Sequence, residues 1–120
     1  MAMADTPEPL PATVPVFPLT GAVLFPRGVL PLNVFEPRYL AMVRDAMAAS
    51  GAANRMIAIV QPRGRGEPPP LFDVGCVGRI SDFRETDDGR ILIALAGISR
   101  FRISAELDRP TPYRQVVTDY

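Results

Sequence analysis

The residues that could do chemistry are few, and their types limit what this sequence can catalyse. The 120 residues contain no histidine, and all 13 basic residues are arginines, so lysine is absent as well. Without histidine and lysine the chain cannot form a Ser-His, Cys-His or Ser-Lys pair, a P-loop lysine or the commonest metal site. A hydrolase built on a serine or cysteine would lack a general base of suitable pKa. The sequence therefore predicts no catalytic residue, no metal site and no cofactor.

Two remaining candidates for a reactive site have simpler structural interpretations. Cys76, the single cysteine, lies on the apolar face of a predicted strand, which favours a buried, inert thiol over a reactive one. Asp87 and Asp88 form a carboxylate pair, but Asp-Gly is among the strongest signals for a type I′ hairpin turn. A lone cysteine, with no secretory signal and no apolar run of the ~18 residues that a membrane span needs, predicts a soluble, cytoplasmic protein.

The arginine-containing motifs favour exposed surface over nucleic-acid binding. Arg63-Gly64-Arg65-Gly66 is similar to a fragment of an RNA-binding arginine–glycine segment. It lies beside Glu67 in a chain of net charge zero, whereas nucleic-acid-binding domains usually have a basic face, so a mobile loop is the simpler interpretation. Arg100 and Arg102 share a strand face, and Glu106 and Asp108 lie further along it, which predicts a solvated face of mixed charge.

These side chains must be positioned mainly by strands, because short apolar runs alternate with Pro- and Gly-rich turns. Residues 1–12 hold three prolines and little that could pack, which predicts a disordered tail before one folded domain over residues 13–120. Proline within two of the runs places those strands at edges, starts or bulges, and Gly97 allows a bend or bulge in another. The pattern predicts a mainly β (α+β) fold, a small barrel of six or seven mostly antiparallel strands plugged by one helix.

One helix is predicted, over about residues 37–50. Its apolar stripe has helical spacing and should face the barrel, which favours core packing for its methionines over a peptide-binding surface: Tyr39, Met42, Val43, Ala46 and Met47. Pro37 fits the first helical position, Glu36 lies at the cap, and Gly51 is placed to end the helix in a left-handed conformation.

Five sequence blocks, in order and spacing, resemble the N-terminal domain of Lon-type ATP-dependent proteases. They are VPVFPLTGAVLFP from residue 14, LPLNVFEPRYLAMV from residue 30, VGCVGRI from residue 74, DDGRILIALAG from residue 87 and SRFRI from residue 99. The resemblance spans residues 14 to about 117 and is greatest to short bacterial proteins that carry this domain without the ATPase and protease domains. It implies a PUA-like pseudo-barrel and, in the family, a C-terminal helical subdomain that we expect this chain to lack.

The resemblance also implies a non-catalytic module that recognises unfolded or tagged protein substrates, or partner proteins such as a protease or chaperone. An RNA-binding PUA-like barrel is the alternative, and it predicts a steep fall of affinity with salt. If the chain stops within its last strand, the apolar residues Val116 and Val117 lie on an unfinished edge, which predicts pairing with a second copy.

Three residues are candidates for contact with substrate protein: Glu36, Arg38 and Phe25. Glu36 and Arg38 belong to the distinctive helix-start motif, where the structural alternative is that Glu36 caps the helix and Arg38 pairs or lies along the barrel. Phe25 lies in an irregular segment before Pro26 that, if exposed, would form an apolar patch suited to unfolded chains.

Overall fold

The computed structural model describes residues 9–120, so most of the predicted tail lies outside the described part of the chain. The described residues form a mainly β fold with one α-helix between the second and third strands, which confirms the predicted fold class. The elements are β1 (Thr13–Pro18), β2 (Val29–Val34), α1 (Pro37–Ala48), β3 (Met56–Val60), β4 (Val74–Glu85), β5 (Ile91–Leu107) and β6 (Arg114–Asp119).

The strands form one sheet that closes on itself unevenly. Their order is β2-β5-β4-β3-β1-β6, and β6 also pairs with β5. Only the β1–β3 pair is parallel, and the other pairs are antiparallel. The first part of β5 pairs with β2 and its last part with β6, so β2 lies beside a ring of the other strands.

The C-terminal strand is not an edge, which corrects the expectation on which the predicted homodimer depended. β6 pairs with β1 on one side and with β5 on the other. Val116 is completely buried, because closure of the sheet places it in the core. Next to β6, the carbonyl oxygen of Pro11 accepts hydrogen bonds from the hydroxyl groups of Thr118 (2.7 Å) and Tyr120 (2.8 Å).

The helix covers one part of the core, as its stripe predicts, with Met42, Val43 and Ala46 buried. It ends at Ala48, two residues earlier than predicted, because Ala49 and Ser50 are already extended; Gly51 (φ +65°) is left-handed as predicted but begins a short 3-10 turn and does not end the helix. The side-chain amide of Asn54 donates a hydrogen bond of 2.8 Å to the carbonyl oxygen of Ala49. This carbonyl follows the last residue of the helix and has no hydrogen-bond partner within it.

The hairpin between β4 and β5 forms at Asp87 and Asp88 as predicted, but its turn is not type I′. Gly89 alone in this turn has a positive φ (+86°), whereas type I′ needs positive φ at two central residues. The backbone N–H groups of Thr86 and Gly89 bond to the carbonyl oxygens of Arg90 (2.9 Å) and Thr86 (3.2 Å). Hydrogen bonds from the Thr86 hydroxyl and the Arg90 guanidinium to Asp88 favour this longer loop and lower the pKa of the Asp88 carboxyl.

Candidate functional site

A groove of about 510 Å³ lies on the surface beside the irregular segment that connects β1 and β2. Residues 22–25 of this segment and residues 72–76 at the start of β4 line it, together with Ile59, Gln61, Arg100 and Arg102. We call this surface the apolar groove. It contains one predicted contact residue, Phe25, and draws its lining from four parts of the sequence that are far apart.

Two glycines allow the segment before β2 to approach the sheet and form one side of the groove. Gly78 and Gly97 are partners across β4 and β5. A Cβ atom on Gly97 would lie 2.0 Å from the carbonyl oxygen of Phe25, and one on Gly78 would lie 2.8 Å from Cδ2 of Leu24. Leu24 is 5% exposed, so its side chain anchors the segment in the core through space that only glycines leave open.

Backbone hydrogen bonds fix the segment to a β-bulge at the same place. Val77 pairs with Ser99 and Gly78 with Gly97, so Ile98 is an extra residue, as the glycine at position 97 predicts. The N–H of Arg27 donates a hydrogen bond to the carbonyl oxygen of Gly97 (2.9 Å), and the N–H of Gly97 donates one to the carbonyl oxygen of Gly28 (2.8 Å). The position of Phe25 is therefore set by the bulge and not by a regular strand.

The groove concentrates exposed apolar side chains. Among the described residues, eight large hydrophobic side chains are exposed, and four of them line the groove: Val23 (49%), Phe25 (55%), Phe72 (50%) and Val74 (46%). The alternation of Phe72, Val74 and Cys76 predicts that all three side chains lie on one buried face. In the structure Phe72 precedes β4 and Val74 is its first residue, and both side chains are exposed at the groove. The three prolines before Leu71 were the signal that this run begins in a loop.

Arginines accompany the exposed aromatic rings. The guanidinium carbon of Arg100 lies 5.9 Å from the centroid of the Phe25 ring, and that of Arg63 lies 5.8 Å from the centroid of the Phe72 ring. Both distances suit cation–π attraction. Arg102 also lines the groove, and Asp73 is the one carboxylate among its lining residues.

Arg100, Arg102 and Glu106 are all exposed on β5, as predicted for a solvated face of mixed charge. The Glu106 carboxylate accepts two hydrogen bonds from Arg114, from Nε at 2.8 Å and Nη2 at 2.7 Å. These bonds lower the pKa of Glu106. Arg114 also donates from Nη1 to the carbonyl oxygen of Pro69 (2.7 Å), which attaches the loop before Phe72 to the barrel.

Cys76 lies at the groove but is buried, as predicted for an inert thiol. Its side chain is 3% exposed, and burial raises the pKa of the thiol. A neutral, buried thiol is a poor nucleophile. Among residues 9–120, no group of three or more His, Cys, Asp or Glu side chains is placed to hold a metal ion.

Glu36 and Arg38 lie at the other end of β2 from Phe25. Val29, next to the Phe25 segment, pairs with Ala96, and Val34, next to Glu36, pairs with Ile91. A strand of this length separates its ends by roughly 17 Å at ~3.4 Å per residue. The structure therefore does not bring the three predicted contact residues together.

The start of α1 uses its charged and aromatic groups internally. Glu36 occupies the N-cap position without a side-chain capping hydrogen bond, and its Oε2 lies 3.6 Å from Nε of Arg38. Arg38 lies over the Tyr39 ring at 5.8 Å, and Tyr39 stacks on Phe17 with ring centroids 4.2 Å apart. Burial raises the pKa of the Tyr39 phenol. The pairing of Arg38 matches the structural alternative for the motif, whereas the expected side-chain cap from Glu36 is not formed.

Residues 13–120 match the sequence profile of a known family, the ATP-dependent protease La (LON) substrate-binding domain. The chain belongs to this family. It is 33% identical over 103 residues to a Lon protease of Desulfosudis oleivorans, covering 81% of this chain and 12% of that protein. It is 32% identical over 110 residues to a Lon protease of Anaeromyxobacter dehalogenans, covering 88% of this chain and 12% of that protein.

Solved structures show the same fold. A Lon N-terminal domain protein from Xanthomonas campestris superposes with a TM-score of 0.69 at 29% identity, covering 89% of this chain and 58% of that one. The N-terminal domain of the Mycobacterium avium complex Lon protease gives a TM-score of 0.68 at 19% identity, covering 88% and 53%. This second likeness concerns the fold alone.

The match confirms the predicted family and the predicted absence of catalysis in this stretch of sequence. The chain spans 12% of the length of those Lon proteases, and the part it matches is the substrate-binding domain. The 120 residues hold neither an ATPase nor a protease domain. In residues 9–120 no helix is long and apolar enough to span a membrane.

Proposed function

We propose that this substrate-binding domain holds extended segments of unfolded or tagged protein in the apolar groove. The observation that carries the proposal is the concentration of Val23, Phe25, Phe72 and Val74, all exposed, in one concave surface. Apolar side chains of an unfolded chain would cover these groups and remove both surfaces from water. A folded protein, whose apolar side chains are already buried, would gain little from the same contact.

The groove favours binding that is weak at each site. An unfolded segment loses conformational freedom when it is ordered, and the contact is small, so a dissociation constant on the order of micromolar is expected for one segment. Weak capture suits a domain that must release its substrate to another protein. A protease or chaperone that receives the captured chain is the partner class that we infer, in line with the Lon proteases that contain the matching domain.

The proposal assigns different positions to the three predicted contact residues. Phe25 contacts the substrate directly in the groove. Glu36 and Arg38, at the far end of β2, would contact only a substrate that extends well beyond the groove, or a partner protein. A buried, unpaired cysteine suits the cytoplasm, where such unfolded substrates would be encountered.

Fluorescence anisotropy of a labelled, permanently unfolded polypeptide tests the proposal. We expect saturable binding, and no binding of the folded counterpart. Phe25→Ser and Phe72→Ser should each weaken binding about fivefold or more, because aromatic groups at the centre of a contact contribute most of its free energy. Phe35→Ser is the matched control, since Phe35 is 63% exposed but does not line the groove. Equal affinities for all variants would contradict the assignment to the groove.

Single-stranded RNA is the second candidate ligand, because arginines beside exposed aromatic rings also suit stacked bases. The net charge of zero and the Asp73 carboxylate in the groove count against it. The same titration with a labelled single-stranded RNA at low and moderate salt distinguishes the two. Binding of RNA alone, with affinity that falls steeply with salt, would favour the nucleic-acid candidate.

A further inference from the structure

Arg100 and Arg102 form a pair of cationic side chains on one side of the apolar groove. They lie two residues apart on β5 and both line the groove, while Phe101 between them is 2% exposed. Because side chains alternate across a strand, the two arginines share the outer face. Their guanidinium groups therefore meet whatever lies in the groove.

Neither arginine has a carboxylate partner in the described part of the chain. No carboxylate oxygen of residues 9–120 lies within 4.0 Å of either guanidinium group, whereas Arg90 and Arg114 are paired at 2.9 Å and 2.7 Å with Asp88 and Glu106. Arg100 instead lies beside the ring of Phe25, which holds its charge next to the exposed apolar surface. The pair thus supplies two hydrogen-bonding cations where the groove meets solvent.

The spacing of the pair matches an extended peptide. Two residues along a strand cover about 6.8 Å, which is also the distance between alternate side chains of an extended ligand. Two acidic side chains at alternate positions can therefore meet both arginines, whereas the single carboxylate at the end of a chain can meet only one. Carboxylate–guanidinium hydrogen bonds are stronger and more directional than those between neutral groups.

We propose that the groove selects extended apolar segments flanked by Asp or Glu at two alternate positions. This inference rests on the proposed function of the groove and adds the chemistry of the preferred substrate. The apolar stretch covers Phe25 and Phe72, and the two side-chain carboxylates lie against Arg100 and Arg102. Asp73 at the same groove disfavours a continuous acidic run, so a short apolar stretch with adjacent acidic positions fits best.

Matched peptides test the preference by fluorescence anisotropy. Peptides with one shared apolar stretch and an amidated C-terminus carry Glu, Gln or Arg at the two alternate flanking positions. A further Gln peptide has a free C-terminal carboxylate. We expect the Glu peptide to bind about five- to tenfold more tightly than the Gln peptide, and the Arg peptide to bind more weakly than both. The difference should shrink as salt is raised.

Arginine variants assign the preference to the pair. Arg102→Gln should bring the affinity for the Glu peptide close to that for the Gln peptide. Arg84→Gln, an exposed arginine on β4 that does not line the groove, removes the same charge and is the control. Arg100→Gln should act like Arg102→Gln, with an added loss if the ring of Phe25 moves. The melting temperature of each variant shows whether a change in affinity comes from a loss of folding.

Four outcomes would overturn the inference. Equal binding of the Glu and Gln peptides would remove the acidic preference but leave the proposed function in place. If only the Gln peptide with a free C-terminus bound tightly, the arginines would recognise the C-terminal carboxylate of a chain and not acidic side chains. Competition by single-stranded RNA that is lost in Arg102→Gln would assign the pair to nucleic acid. Failure of every peptide and of the unfolded polypeptide to bind would overturn the proposed function as well.

Discussion

The apolar groove and the start of α1 both place aromatic rings beside arginines, but only the start of α1 satisfies these groups internally. There Tyr39 stacks on Phe17 at 4.2 Å, and Arg38 faces Glu36 at 3.6 Å. In the groove, Phe25 and Phe72 are about half exposed and their arginines have no carboxylate within 4.0 Å among the described residues. The same residue types thus complete a helix start in one region and leave room for a ligand in the other.

The difference teaches that a distinctive sequence motif can be explained by local contacts, whereas exposed groups without such contacts can come together from segments that are not distinctive. The FEPRY motif stands out in the sequence, yet its contacts are local and explain its residues without a ligand. The groove is built from separate short segments, none of which is distinctive alone. What joins them is the close approach of the Phe25 segment to the glycines of β4 and β5.

The largest effect is expected where this approach is blocked. Gly97→Ala would place a Cβ atom 2.0 Å from the carbonyl oxygen of Phe25, so the segment must move and Leu24 must leave its place in the core. Overpacking of this kind should lower the free energy of unfolding by about 2–3 kcal/mol. Binding of the unfolded polypeptide should fall as well, because Phe25 is displaced. Urea unfolding and anisotropy measure the two effects.

Gly21→Ala is the control for Gly97→Ala, since it changes a glycine of the same segment without a clash. Gly21 has a φ of +78°, and no atom lies within 4 Å of an added Cβ. Its cost should be limited to backbone strain of about 1 kcal/mol. If Gly97→Ala lost no more stability than Gly21→Ala, the groove would not depend on the close approach that distinguishes it from the helix start.

An intermediate effect is expected on the helix side, at Tyr113. Its hydroxyl donates a hydrogen bond of 2.6 Å to Oδ2 of Asp45 on α1, which links the helix to the segment before β6. Tyr113→Phe should lower the free energy of unfolding by about 1–1.5 kcal/mol at pH 7. Binding to the groove should remain unchanged, because neither residue lines it. A loss of binding would show that the two regions are coupled.

The contribution of Tyr113 should disappear at alkaline pH. Burial, and then the hydrogen bond to Asp45, raise the pKa of the Tyr113 phenol above its ordinary value of about 10. Because the folded state holds this proton more tightly, the stabilisation is complete below pH ~10 and is lost as the pH rises through the folded pKa. Urea unfolding between about pH 8 and pH 11 should show a smaller fall for Tyr113→Phe than for the unchanged protein.

The fold was predictable because its signals are local. Alternating apolar runs, the Asp-Gly turn and the glycine at position 97 act within a few residues, and the helix stripe repeats at helical spacing. The path of β6 between β1 and β5 could not be predicted, because it depends on how a closed sheet joins distant strands. The same holds for the groove, where the exposure of Phe72 and Val74 follows from the loop before them and from a segment about fifty residues earlier.

The smallest effect is expected at the helix start. A loss of binding there would contradict the difference between the helix start and the groove. Arg38→Ala and Glu36→Ala each remove one partner of a half-exposed ion pair that lies 3.6 Å apart, and Glu36 makes no side-chain capping bond. Each should change the free energy of unfolding by less than about 0.5 kcal/mol. Neither should alter the affinity for a short peptide that spans only the groove, because both residues lie outside it. If Arg38→Ala kept its melting temperature but bound as weakly as Phe25→Ser, the helix start would be a contact surface in its own right, and internal satisfaction of its groups would not exclude binding.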